Sequence, residues 1–231
     1  MIEIRAAHDR GNVDMGWLNS YHSFSFGQYY DPHHMGFSAL RVINDDTVQP
    51  GAGFATHGHR NMEILSFVLD GTIAHKDSTG NIETLPQGEF QLMSAGRGIY
   101  HSEFNASQQD SLHFLQIWVE PNVQDTEPGY QQKPFETRQG FVPIASPDGH
   151  DGSFIIKQNA TIYQVTLAQE TQQRFAVEHG RRVYVHLITG ELEINGIKLQ
   201  PGDGAKIAEE CALDLVNVGT QHILALLFDL P

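Results

Sequence analysis

Apolar and polar positions along this chain alternate in short runs, and convincing helical periodicity is scarce. Runs rich in β-branched and aromatic residues recur at 37–43, 63–69, 112–119 and 182–188. Runs of that length and composition are the signature of strands packed against a core. Turn chemistry separates them at Asp70-Gly71, Thr79-Gly80-Asn81, Pro86-Gln87-Gly88, Thr189-Gly190, Asn195-Gly196 and Pro201-Gly202. His22, Phe24 and Phe26 alternate and predict an N-terminal strand with these three in its core. The whole pattern predicts an all-β protein built as antiparallel sandwiches or barrels.

The pattern also repeats. The first half runs Leu69-Asp70-Gly71 and then Leu85-Pro86-Gln87-Gly88-Glu89; the second runs Ile188-Thr189-Gly190 and then Leu199-Gln200-Pro201-Gly202-Asp203. Strand, turn glycine, hairpin and second turn follow in the same order, which reads as a duplication. Residues 120–134 are polar and carry three prolines, which predicts a linker. The expected domains are therefore 1–125 and 126–231.

Composition narrows the class. The chain has 231 residues, 40% of them hydrophobic, with 22 glycines and 10 prolines, enough for a large globular core rich in turns. Its net charge of −14 repels phosphate backbones, so no nucleic-acid partner is expected. Cys211 is the single cysteine, which rules out an internal disulfide and suits a reducing compartment. The first residues lack the apolar stretch of a signal peptide, and the longest apolar run, 223–228, is of strand length. A soluble cytoplasmic protein with no membrane partner is the expectation. Thirteen histidines are the compositional oddity.

Chemistry concentrates at His57-Gly58-His59 and at His101-Ser102-Glu103. Two residues is the strand period, so each pair points to one face. Two such strands facing each other converge three imidazoles and a carboxylate. That donor set suits iron, nickel, copper, manganese or zinc, not calcium or magnesium. A lone His-x-His is more often packed or solvated than metallated; the second pair gives the first its weight. Elsewhere the bland readings prevail. Gly96-Arg97-Gly98 predicts a tight turn and not a phosphate cradle, since no helix follows. His33-His34 reads as a solvated loop, and Cys211 as an inert thiol in an apolar strand.

These residues resemble the two motifs of the cupin pattern. Gly51, His57, His59, Glu63 and Gly71 follow the first motif, with Glu63 one residue early. Gly88, Ser94 in place of proline, Gly96, His101 and Asn105 follow the second, with two residues inserted before His101. Glu103 is then the natural carboxylate ligand in place of Glu63. A narrower resemblance covers the whole chain, strongly to about residue 120. Trp17, His22-Ser23-Phe24-Ser25-Phe26, Tyr29-Tyr30-Asp31-Pro32, residues 36–46 and Met93 through Glu103 are similar to the pirin family, in particular its bacterial members associated with quercetin 2,3-dioxygenase activity.

The resemblance implies two tandem cupin (jelly-roll) barrels packed face to face, with a metal held by His57, His59, His101 and Glu103. The second half keeps Gly202, Ala208 and Asn217 of the frame but puts Leu213 and Leu215 where His101 and Glu103 stand. Counting back from Gly190 sets Ala176 and Glu178 against His57 and His59, with His179 on the opposite face. One divalent ion in the N-terminal barrel is therefore expected, iron first. A monomer is expected too, because two packed barrels bury what single-barrel relatives bury by dimerising. The implied reaction is opening of the central ring of a flavonol such as quercetin by dioxygen, with Glu103 as ligand and proton acceptor. Two rivals are a metal-binding redox or regulatory protein acting through a protein partner, as eukaryotic pirins are described, and a cupin enzyme acting on another enediol.

Overall fold

The computed structural model describes residues 1–231. Apart from two short 3-10 turns, Ala7–Asp9 and His150–Gly152, its regular structure is strand. In chain order the strands begin with β1 (Ile2–Arg5), β2 (Gly11–Asp14), β3 (Leu18–His22), β4 (Leu40–Val48), β5 (Gly53–His59) and β6 (Glu63–Asp70). Next come β7 (Thr72–Asp77), β8 (Ile82–Pro86), β9 (Glu89–Ser94), β10 (Ile99–Asn105), β11 (Leu112–Val119) and β12 (Gly129–Pro134). Then follow β13 (Gly140–Ser146), β14 (Phe154–Ile155), β15 (Thr161–Leu167), β16 (Gln172–Ala176) and β17 (Arg182–Thr189). The last are β18 (Leu192–Ile194), β19 (Ile197–Leu199), β20 (Gly204–Ile207), β21 (Ala212–Asn217) and β22 (Ile223–Leu230).

The chain forms two compact units. One comprises Gly11–Phe135 with Ile156–Gln158; the other comprises Met1–Arg10, Glu136–Ile155 and Asn159–Pro231. These bounds differ from 1–125 and 126–231 for two reasons of strand pairing. Residues 120–134 are not a free linker, because Gly129–Pro134 pairs along β9 as an edge strand. The first residues leave their own half, because Ile2–Arg5 pairs with Gly204–Ile207.

Each unit layers a seven-stranded sheet on a four-stranded one, the jelly-roll arrangement of a cupin barrel. In the first unit the orders are β12-β9-β6-β11-β4-β3-β2 and β5-β10-β7-β8. In the second they are β1-β20-β17-β22-β15-β13-β14 and β16-β21-β18-β19. The core of the first unit joins Val48, Val68 and Phe114 of the larger sheet to Ile73 and Leu85 of the smaller. The second unit is filled by Val165, Val185, Leu187 and Leu227 against Leu192, Leu213 and Leu215. Each such side chain contributes about 1.5–3 kcal/mol on burial, which is why the two sheets of a unit stay closed. No helix in the structure is long and apolar enough to cross a membrane.

The strand 112–119 lies where its pattern predicts, but the strand predicted at 37–43 runs on to Val48. Its second half carries buried polar residues, Asn44 and Asp46, which face the interior of the first unit. The N-terminal strand stops at His22, so Phe24 is buried in the segment beyond it while His22 and Phe26 reach a cavity.

Candidate metal centre

β5 and β10 are antiparallel neighbours, with His101 opposite His57 and Ile99 opposite His59. The pairing then slips, so that Glu103 stands opposite Phe54. The slip is a β-bulge, a device that re-aims side chains without ending a strand. Gly53 allows the close approach that follows: a Cβ there would lie 2.3 Å from the Glu103 carbonyl oxygen. Gly96 is required too, since a Cβ would meet the Thr126 carbonyl oxygen at 2.2 Å and its φ is +48°. The turn it opens, closed by Gly98 N–H donating to Ala95 O at 3.0 Å, is the tight turn expected of Gly96-Arg97-Gly98.

The period-two reading puts His57 and His59 on one face, and there they meet His101. The Nε2 atoms of His59 and His101 are 3.0 Å apart, and those of His101 and His57 are 3.1 Å apart. Ligands at about 2.0–2.1 Å from a metal, set at right angles, lie about 2.9 Å from each other. The two spacings are those of neighbouring donors that could share one ion. His57 donates from Nδ1 to the Ala55 carbonyl at 2.8 Å, which leaves its Nε2 with a lone pair. Burial, then the neighbouring imidazoles, push His59 down to about 4 and His101 down to about 3. Both rings are therefore neutral near pH 7, the form that binds a cation. Three imidazole lone pairs aimed at one point repel one another unless a proton or a cation lies between them, so this donor set fits a borderline transition ion.

Glu103 is 3% exposed and is held at both oxygens. Gln91 donates to Oε1 and Gln116 to Oε2, each at 2.7 Å. Its donor atom lies within 4.8 Å of those of His101 and His75, whereas His57, His59 and His101 form their own cluster within the same distance. His101 thus belongs to both groups. His75 escaped the sequence reading. It stands opposite Glu103 on β7, buried, with Nε2 3.2 Å from Asp77 Oδ2. The signal was the His-x-Asp spacing of His75 and Asp77, which repeats the period-two logic of the other pairs. Burial raises the Asp77 carboxyl, but hydrogen bonds from Asn81, Thr79 and His75 outweigh it and hold the group at about 2.

Glu63 is elsewhere. It accepts from Ser94 Oγ at 2.8 Å and from the Lys157 backbone N–H at 3.3 Å, on the strand face away from the histidines. In the second unit Leu213 pairs with Phe175, not with Ala176, so the count from Gly190 was one residue out. Glu178 and His179 are exposed beyond the end of β16, where neither lies on a strand face. Cys211 is exposed in the turn before β21, not buried in an apolar strand.

Beside the histidines lies a cavity of about 560 Å³, within the usual range for small-molecule sites. His57 and His59 open onto it, and Trp17, Phe26, Phe54 and Trp118 supply aromatic walls. Trp118 meets the His59 ring edge-on at 4.9 Å, and Trp17 meets Phe54 at 5.2 Å.

Two jelly-roll units, one with a converging histidine cluster inside it and one with a leucine core, define a protein of the two-barrel cupin class. Residues 3–119 match the family described as Pirin, and residues 143–230 match the Quercetinase C-terminal cupin domain. The chain belongs to the pirin family. It is 46% identical over 231 residues to quercetin 2,3-dioxygenase of Escherichia coli strain K12, covering 100% of this chain and 99% of that protein. It is 38% identical over 219 residues to a pirin-like protein of Caulobacter vibrioides, covering 93% of this chain and 94% of that one. The crystal structure of the bacterial pirin YhhW of E. coli in complex with nickel(II) superposes with a TM-score of 0.96 at 46% identity, covering 100% of this chain and 99% of that one.

Proposed function

We propose that this protein is a metal-dependent dioxygenase that opens the central ring of flavonols such as quercetin. The observation that carries the reading is the convergence of three imidazole Nε2 atoms, 3.0 and 3.1 Å apart where paired, beside a cavity with aromatic walls. His57, His59 and His101 would hold one divalent ion, with Glu103 as the fourth donor. Iron is the expected ion, and nickel is the ion named with the relative's structure. Such an ion supplies positive charge that stabilises the deprotonated 3-hydroxyl of a flavonol and leaves positions open to substrate. Glu103, oriented by Gln91 and Gln116, would take the hydroxyl proton. The aromatic walls hold the flat rings and exclude water while the electron-rich enolate reacts with dioxygen. The names of the relatives support the same substrate.

The test is direct. Protein reconstituted separately with iron, nickel, copper, manganese or zinc is mixed with quercetin under air. Loss of the flavonol's near-visible absorbance together with uptake of dioxygen is expected with at least one metal. Metal bound at one equivalent with neither change for any ion would remove the dioxygenase reading. We further propose a monomer acting in the cytoplasm; a solution mass near 25.8 kDa would agree with the first part, and twice that mass would not.

A further inference from the structure

The cavity has a second polar group, and it comes from the other sheet of the same unit. Ser20 and His22 on β3 stand opposite Asp46 and Asn44 on β4. All four line the cavity, yet each is at most 4% exposed. Ser20 Oγ donates to Asp46 Oδ1 in a short hydrogen bond, and His22 Nδ1 bonds Asn44 Oδ1 at 2.7 Å. The asparagine oxygen is an acceptor, so His22 carries its proton on Nδ1. What Asp46 and Asn44 have left for a ligand is one carboxyl oxygen and one amide NH2.

Buried polar groups cost free energy unless they are partnered, and the fold does not need them here. The second unit shows why. Asn105 donates to the Val48 carbonyl and Asn217 donates to the Leu167 carbonyl, so these two strand positions correspond. Two and four residues earlier, β4 carries Asp46 and Asn44, whereas β15 carries Val165 and Tyr163, both packed in an apolar core. The polar pair occurs only in the unit that has the histidines and the cavity.

We propose that Asp46 and Asn44, fixed by Ser20 and His22, are specificity-determining residues that bind a phenolic hydroxyl of the substrate other than the one presented to the imidazoles. This rests on the flavonol reading and narrows it: the substrate is a flat, ring-bearing enol with a second hydroxyl. Burial pushes the Asp46 carboxyl up to about 7, against the lowering effect of Ser20. Near neutrality it is thus able to accept a hydrogen bond from a phenol in one form and donate one in the other.

The chain's two tryptophans, Trp17 and Trp118, both line the cavity, so quenching of their emission reports occupancy without turnover. Nickel(II)-loaded protein is titrated without oxygen with quercetin and with 3-hydroxyflavone, which keeps the chelating group and lacks the other hydroxyls. Wild type should bind quercetin at least about tenfold more tightly, the effect of one hydrogen bond to a charged acceptor. Asp46→Val should bring the two affinities within about twofold of each other while leaving that for 3-hydroxyflavone within about threefold of wild type. Ser20→Ala keeps the carboxyl but frees it, and should fall between. Equal affinities in wild type, or a preference unchanged in Asp46→Val, would overturn the assignment. If Asp46→Val does not fold, an unchanged preference in Ser20→Ala overturns it instead. If neither compound quenches wild type, the flavonol reading itself falls and takes this inference with it.

Discussion

The two units share a frame and differ in content. In their four-stranded sheets the strands follow the same path, β5-β10-β7-β8 in one and β16-β21-β18-β19 in the other. The shared asparagine shows how close the match is. Asn105 Nδ2 donates to Val48 O, Gln49 O and Asp110 O, while Oδ1 accepts from Ser107 N–H. Asn217 Nδ2 donates to Leu167 O, Ala168 O and Gln221 O, while Oδ1 accepts from Gly219 N–H. Four residues before these asparagines the units part: His101 faces His57 in one, and Leu213 faces Phe175 in the other. Holding a barrel closed falls to the residues the units share, and the residues that differ, His57 and His101, are those proposed to hold a metal.

The largest test of that division is to empty the site and leave the frame. His57→Ala combined with His101→Ala should reduce bound metal from near one equivalent per chain to near none, read by elemental analysis, with the circular dichroism of the fold retained. Metal retained at full stoichiometry would place the ion elsewhere. Next in size is the carboxylate. With metal in excess, Glu103→Gln should bind flavonol yet open its ring at least roughly a hundredfold more slowly. Glu63→Gln should turn over like wild type, because Glu63 bonds Ser94 and the Lys157 backbone and touches no histidine. A reversal of the two would mean that the wrong carboxylate has been chosen.

The frame can be broken in both units alike. Asn105→Ala and Asn217→Ala each strand several buried backbone groups and should each cost about 1–3 kcal/mol in denaturant unfolding. A large effect at one and none at the other would mean that the shared bonding pattern is not shared in function. A gentler probe is pH. The unfolded value for histidine is 6.5, whereas His59 in the fold sits at about 4 and His101 at about 3. The unfolded chain therefore takes up protons first on acidification. Metal-free stability of the first unit should be full above about pH 6.5 and fall as pH drops from there toward 4. The His59 ring is partly open to solvent, which reduces its share of the effect, whereas His101 is buried. Tryptophan emission follows it, since Trp17 and Trp118 both lie in that unit. The smallest expected effect is none: Glu178→Ala and His179→Ala should leave metal content and turnover within error.

Much of this was legible in the order of residues. The repeat, the strand at 112–119 and the convergence of His57, His59 and His101 follow from period-two spacing and turn chemistry alone. What escaped did so for physical reasons. β12 reads as a linker because an edge strand of Tyr130, Gln131 and Gln132 has little apolar face to show; it is held by backbone pairing and by Tyr130 Oη donating to Gln91 at 2.9 Å. β4 reads as ending at Ile43 because Asn44, Asp45 and Asp46 look like a turn. They are polar because two of them line a cavity, and binding sites are where local sequence rules are broken. His75 was passed over because a lone His-x-Asp pair carries little weight until its register opposite Glu103 is known.

One feature of the second unit bears on the order in which the molecule is completed. Its sheet ends in Ile2–Arg5, paired with Gly204–Ile207. On the ribosome Ile2–Arg5 emerges long before Gly204–Ile207. The metal-binding unit lies wholly between them and is free to fold while synthesis continues. Ile2–Arg5 has to wait, unpaired, until Gly204–Ile207 has been translated. Closing that contact is an event of long sequence separation, and such contacts form slowly. The second unit's sheet is thus completed by a strand made before the metal-binding unit exists.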